Sequence, residues 1–220
     1  TLEGNKEQEF IDRTLTENNF AVKANEMQEM KSALGTVAYI PRVVGQEVNE
    51  SGNIVPGNAS GIVLDYVTIE NIYPLAWQNG YISECAFSSV VTRGGRDYLY
   101  LQIHRKENSG EYVIENRIYR YDNEQLADET LTNVKGFERI PPVVHTGSDK
   151  RQFVIDRPNI ANNFNYLLPT GISVYANAID VMQGVDIAYD SYVNEFKLGK
   201  KRIMVKPAAA KYLDGEPVFD

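Results

Sequence analysis

Ile82-Ser-Glu-Cys-Ala-Phe-Ser-Ser-Val-Val-Thr-Arg-Gly-Gly-Arg-Asp-Tyr-Leu-Tyr-Leu-Gln-Ile-His-Arg105 is the stretch that decides the class of fold. Its second half alternates with the period of two that a strand requires, so Tyr98, Tyr100, Gln102 and His104 share one side and Leu99, Leu101 and Ile103 the other. Arg93-Gly-Gly-Arg96 supplies the glycines that a tight hairpin turn with positive φ needs, and Glu107-Asn-Ser-Gly110 repeats the signal. In the next run Tyr112, Ile114 and Ile118 oppose Val113 and Tyr119. Strands over Ile82–Thr92, Asp97–Arg105 and Glu111–Tyr121 therefore form an antiparallel meander. The expectation is that its aliphatic side packs on a core, leaving the tyrosine-rich side against a neighbouring element or a partner subunit.

Upstream, Ile62–Ile69 reads as another strand, and residues 45–61 as a long solvated hairpin connection punctuated by Gly45, Gly52, Pro56, Gly57, Asn58 and Gly61. Thr36–Val44 is β-branched and aromatic, hence a strand, and Gly35 before it sits where a helix ends. Residues 5–34 carry helix formers with scattered apolar positions (Phe10, Ile11, Phe20, Met27, Met30, Leu34) and a break at Asn18-Asn19, which predicts two short helices.

Downstream, residues 122–152 are polar and broken by Gly136, Pro141, Pro142 and Gly147, the pattern of a rim and a crossing connection. From Ile172 to Leu198 there is no proline, and Val174, Ala178, Val181, Val185, Ala188, Tyr192 and Phe196 follow helical spacing. Thr170 or Ser173 is placed to cap this helix and Gly199 to end it. At 1.5 Å per residue, about 26 residues reach ~39 Å, and such a rod needs a neighbour. Arg202-Ile-Met-Val-Lys206 then starts a further β unit. The class is α+β: N-terminal helices over 1–35, a β-rich domain over 36–155, a connection over 156–171, a long helix over 172–199 and the start of a small β region over 200–220.

With 220 residues, 43% hydrophobic and 24% charged, the chain has the composition of a folded domain. A single cysteine, Cys85, excludes an internal disulfide framework. The formal charge of −8 argues against a tight grip on nucleic acid through phosphate neutralisation. No run approaches the ~20 apolar residues of a membrane span, and no secretion signal is evident, so a membrane is not expected as a partner. The opening at Thr1 and the stop at Asp220 read as those of a piece of a longer chain.

Chemistry has few anchors. The imidazoles are His104, read as a half-buried sheet residue, and His145, read as structural in a loop or edge strand. Cys85 has no basic neighbour to stabilise a thiolate and reads as a buried, inert thiol. Phosphate-loop, dinucleotide, zinc-protease and hydrolase-elbow motifs are absent from the sequence. Asp186 and Asp190 share a helix face at i, i+4, yet no second carboxylate motif accompanies them. No catalytic, cofactor-binding or metal residue is therefore nominated, and the chain is not expected to be an enzyme. Lys197, Lys200, Lys201, Arg202 and Lys206 gather near the C-terminal end of the long helix, where the macrodipole favours them; they are also the cations able to face DNA or a docking protein.

The order of segments, together with several runs, resembles the portal proteins of tailed bacteriophages, of the type found in phages and prophages of Gram-positive bacteria. The runs are Leu34-Gly-Thr-Val-Ala-Tyr-Ile-Pro41, Val67-Thr-Ile-Glu-Asn-Ile-Tyr-Pro-Leu-Ala-Trp-Gln-Asn-Gly80, Tyr98–His104 and Tyr112–Tyr119. The more particular ones are Arg157-Pro-Asn-Ile-Ala-Asn-Asn-Phe-Asn165, Pro169-Thr-Gly-Ile-Ser-Val-Tyr-Ala-Asn-Ala-Ile-Asp180 and Val185-Asp-Ile-Ala-Tyr-Asp-Ser-Tyr-Val-Asn-Glu195. The resemblance implies a virion protein, assembled in the host bacterial cytoplasm as a ring of about twelve copies at one capsid vertex. Double-stranded DNA would pass through its channel, with terminase, head–tail adaptor, capsid and scaffold proteins as partners. It further implies that residues 36–155 are wing-like, 172–199 stem-like and the residues from 202 the start of a clip. Val174, Val181, Val185, Tyr189, Tyr192 and Phe196 would then be the candidates for the contact between subunits. The alternative from another class is a β-rich ligand- or glycan-binding module using exposed tyrosines and Trp77.

Overall fold

A computed structural model describes residues 2–45, 47–55, 61–122, 125–199, 211–213 and 216–218. Helices α1 (Leu2–Glu17) and α2 (Phe20–Leu34) are separated where expected: Asn19 takes the left-handed conformation, φ 49°. Asn18 secures the corner, its Nδ2 donating to the Ile62 carbonyl at 2.7 Å and its Oδ1 accepting from the Leu64 amide at 2.8 Å. Gly35, φ 89°, ends α2 by donating its N–H to the Lys31 carbonyl.

The strands that follow are β1 (Val37–Val44), β2 (Glu47–Val48), β3 (Ile54–Val55), β4 (Gly61–Thr68), β5 (Ile72–Gln78), β6 (Tyr81–Arg93), β7 (Arg96–Lys106), β8 (Tyr112–Asp122), β9 (Gln125–Glu129), β10 (Val143–His145) and β11 (Val154–Asp156). They build two main antiparallel sheets, one in the order β11-β1-β4 and one in the order β10-β8-β7-β6-β5, with β9 also on β8. The small β2–β3 hairpin lies in the connection read as a solvated loop, and the His145 amide donates to its Gly52 carbonyl at 2.8 Å. Strand β5 has no counterpart in the sequence reading. Pro74 interrupts its pattern, and the pairing with β6 is irregular between Pro74 and Trp77, as an edge strand tolerates.

A first core joins the two sheets: Ala38 and Ile40 of β1 meet Ile72, Ile82, Cys85 and Phe87, with Phe153 leading into β11. A second joins Tyr98 and Ile118 to Leu131, Val134 and Phe137. Both lie on the side of the meander that carries Tyr98, Gln102 and His104, which are all buried, whereas Leu99, Leu101 and Ile103 are only half-buried. The expectation that the aliphatic side forms the core is thus corrected. The decisive partners, Phe137 and Phe153, come from segments distant in sequence, and their rings pack on Tyr100 (5.1 Å) and His104 (5.4 Å).

The described residues fall into two compact units, one ending at Ala176 and the other beginning at Asn177. The second contains α3 (Ile179–Leu198) and the short antiparallel pair β12 (Lys211–Leu213) and β13 (Glu216–Val218). The long helix therefore starts seven residues later than the sequence reading placed it. Residues 170–174 are held elsewhere: the Gly171 amide donates to Thr36 Oγ1 at 2.8 Å, and the Val174 amide and Ser173 hydroxyl both reach the Ser32 carbonyl. Ser173 and Thr170 consequently cap nothing in α3, whose N-cap position is Ala178 without a side-chain bond.

Candidate functional site

Among the described residues no His, Cys, Asp and Glu side chains cluster as a metal site would require. Cys85 is fully buried, its thiol pushed up to about 12 by desolvation. His104, also fully buried, has no hydrogen-bond partner on either ring nitrogen among the described residues, and burial pushes its pKa down to about 4. It stands between Phe87 and Phe153, centroids 5.5 and 5.4 Å away, and serves as an aromatic core residue. His145 lies on the edge strand β10, its Nδ1 3.9 Å from Glu111 Oε2.

The surface that stands out is α3 itself. None of its 20 residues is buried. Val181, Val185, Tyr189, Tyr192 and Phe196 fall on one stripe of the helix, and with Met182 they include the run Met182-Val185-Tyr189-Tyr192-Phe196, spaced alternately three and four residues apart. All five members of that run are 53–67% exposed. The Tyr192 and Phe196 rings pack at 4.7 Å along the stripe. Asp186, Asp190 and Lys197 flank the stripe on one side of the helix, and neither aspartate lines a cavity described in this structure. Val174 is separate: it lies in the turn before Ala176, tied to Ser32, and not on the helix. Lys200, Lys201, Arg202 and Lys206 lie outside the described residues.

Two further features belong to the first unit. Strand β5 exposes Tyr73, Leu75 and Trp77, with Tyr81 beyond the turn; Trp77 Nε1 donates to the Leu167 carbonyl at 3.1 Å, and Arg151 stacks 4.3 Å over the Tyr81 ring. A cavity of about 1130 Å³ opens between β1 and the β7–β8 part of the meander. Neither the cavity nor the role of Gln102 in its wall was legible beforehand, because both depend on the Ile140–Pro142 segment folding back over β8. Compared with protein-family models, with curated proteins and with solved structures, the chain matches none of them.

Proposed function

We propose that this chain is part of a portal-type ring protein of a tailed bacteriophage, a structural conduit for DNA with no chemistry of its own. The observation that carries the reading is the apolar stripe of α3. Five large side chains at coiled-coil spacing, each more than half exposed, leave on the order of 1–2 kcal/mol apiece of burial free energy for a neighbour to supply. A closed ring of identical chains supplies that neighbour to every copy at once. The net charge of −8 is compatible, since a passage through which DNA slides is better without strong counterion-releasing contacts. In this reading α3 is the stem, β1–β11 the wing, and the basic residues from Lys197 to Lys206 face DNA or an adaptor.

The test is the mass of the full-length polypeptide by light scattering, with negatively stained particles as the second view. Rings of about twelve copies with a central hole are expected; small, ringless species under varied conditions overturn the reading. A glycan-binding module is the second reading, favoured by the exposed Tyr73, Trp77 and Tyr81. It requires saturable quenching of Trp77 fluorescence by oligosaccharides.

A further inference from the structure

The most exposed large apolar side chains are not on α3. Among the described residues Tyr166 (85%) and Phe164 (70%) stand first, with Leu167 beside them at 69%. They belong to the connection over 157–171, and no charged residue stands between Arg157 and Asp180 in a chain that is 24% charged.

This connection is fastened by its own asparagines. Asn162 Oδ1 accepts from the Asn165 amide at 2.9 Å, and Asn162 Nδ2 donates to the Thr170 carbonyl at 3.1 Å. Asn165 repeats the device, its Oδ1 accepting from the Leu167 amide at 3.1 Å and its carbonyl from the Leu168 amide at 3.2 Å. The far end is tied down as well: Trp77 Nε1 donates to the Leu167 carbonyl and Arg157 Nη1 to the Pro169 carbonyl. A loop whose backbone is already held loses little conformational entropy when its side chains dock.

Charge and area together indicate what covers it. An uncharged loop neutralises no phosphate, so nucleic acid gains nothing here. In a closed ring of more than two copies each chain presents two different surfaces, one to each neighbour. A specific contact buries about 800 Å² per partner, so such a ring needs roughly 1,600 Å² from every copy, a little over half of it apolar. The five side chains of the α3 run, just over half exposed, offer on the order of 500 Å². Phe164, Tyr166 and Leu167 add about 400 Å², and they lie in the first unit, which α3 does not serve.

We infer that the loop over 164–167 is a second subunit contact, packed on another copy of this chain. The inference rests on the ring reading and extends it to the first unit. Two contacts on one polypeptide act as linked sites, so removing one weakens assembly by far more than its share of the area.

The test compares the full-length polypeptide in parent form with Phe164→Ser/Tyr166→Ser, and irradiates a third form carrying Tyr166→p-benzoylphenylalanine. The parent should assemble, and light scattering should show the serine pair assembling only at tenfold or higher concentration. The same pair should leave the urea midpoint of this chain unchanged, since both side chains are exposed. Irradiation should join position 166 to a peptide of a second copy. If the parent assembles and the serine pair assembles at the same concentration, or if position 166 joins only to its own copy, the loop contact is overturned while the ring reading stands. A parent that stays small and ringless overturns both. Phosphatidylcholine vesicles that sediment with the parent but not with the serine pair would assign the loop to a lipid surface and overturn the proposal.

Discussion

The sheet corner around Phe153 and the helix α3 are built from similar side chains and end in opposite conditions. At the corner Ala38, Ile40, Ile72, Ile82, Cys85, Phe87 and Phe153 are each less than 5% exposed. On α3 valines, tyrosines and a phenylalanine remain more than half exposed. Apolar content does not separate the two regions; the supply of facing surface does. β1 and the meander bring two sheets face to face, so each closes the other's core. A helix of 20 residues without a buried residue is marginal in water by itself, because most helical stability in proteins comes from tertiary packing of an apolar face. The corner spends its hydrophobic free energy within the chain, whereas α3 leaves most of its own unspent among the described residues.

The contrast breaks most severely where the chain leaves the first unit. Gly35 and Gly171 pass backbone against backbone: a Cβ on Gly35, already at φ +89°, would lie 2.5 Å from the Ile172 carbonyl carbon. One on Gly171 would run into the Gly35 carbonyl oxygen and stand 2.9 Å from Arg157 Cβ. Nothing there is the free end of a side chain, so Gly171→Val should cost about 4 kcal/mol or more, or prevent folding, measured by urea denaturation. Phe153→Ala comes next. It empties the centre of the corner, removing the ring that packs on Phe87 and His104 at 5.4 Å, and should cost about 3–5 kcal/mol by the same assay.

His104 gives the corner a pH dependence. Its folded pKa, about 4, lies below the ordinary value of 6.5 because burial disfavours the charged ring. The folded state then binds fewer protons than the unfolded state between those values, so the stabilisation is complete above pH 6.5 and is lost as pH falls towards 4. The loss approaches about 3 kcal/mol. Urea midpoints should fall steeply across that window, and His104→Leu should flatten the step.

Which parts of this contrast were legible in the sequence follows from the range of the contacts that decide them. The meander, its glycine turns and the Asn18–Asn19 corner depend on neighbours a few residues away, and they appear in the structure within a residue or two of the expected bounds. The buried side of β7 did not: Leu99, Leu101 and Ile103 look like the core until Phe137 and Phe153 arrive on the other side. These rings sit in or next to a stretch whose glycines and prolines read as rim. The start of α3 was misjudged for a like reason, since Thr36 and Ser32 hold the residues that helical spacing alone would have wound. The cavity bordered by Gln102 needs β1, β7, β8 and Pro141 together, and no local pattern announces such a meeting. Of the α3 stripe, Val181, Val185, Tyr189, Tyr192 and Phe196 are legible from local spacing, whereas Val174 lies in the turn before the helix and Met182 was not singled out.

The smallest expected effect on stability is also the sharpest probe of the comparison. Val185→Asp and Tyr192→Asp alter residues that are 62% and 61% exposed on α3, with no core to disturb. On the isolated chain each should change unfolding free energy by no more than about 0.5 kcal/mol, the ordinary range for exposed positions. Under the ring proposal, the same pair in the ring-forming polypeptide should disperse rings into small species, because two carboxylates would then be buried without partners at every seam. Asp190→Asn, outside the stripe, should leave both readouts unchanged. If the double variant instead destabilised the isolated chain by several kcal/mol, α3 would be buried within its own polypeptide, and the distinction between the two regions would collapse.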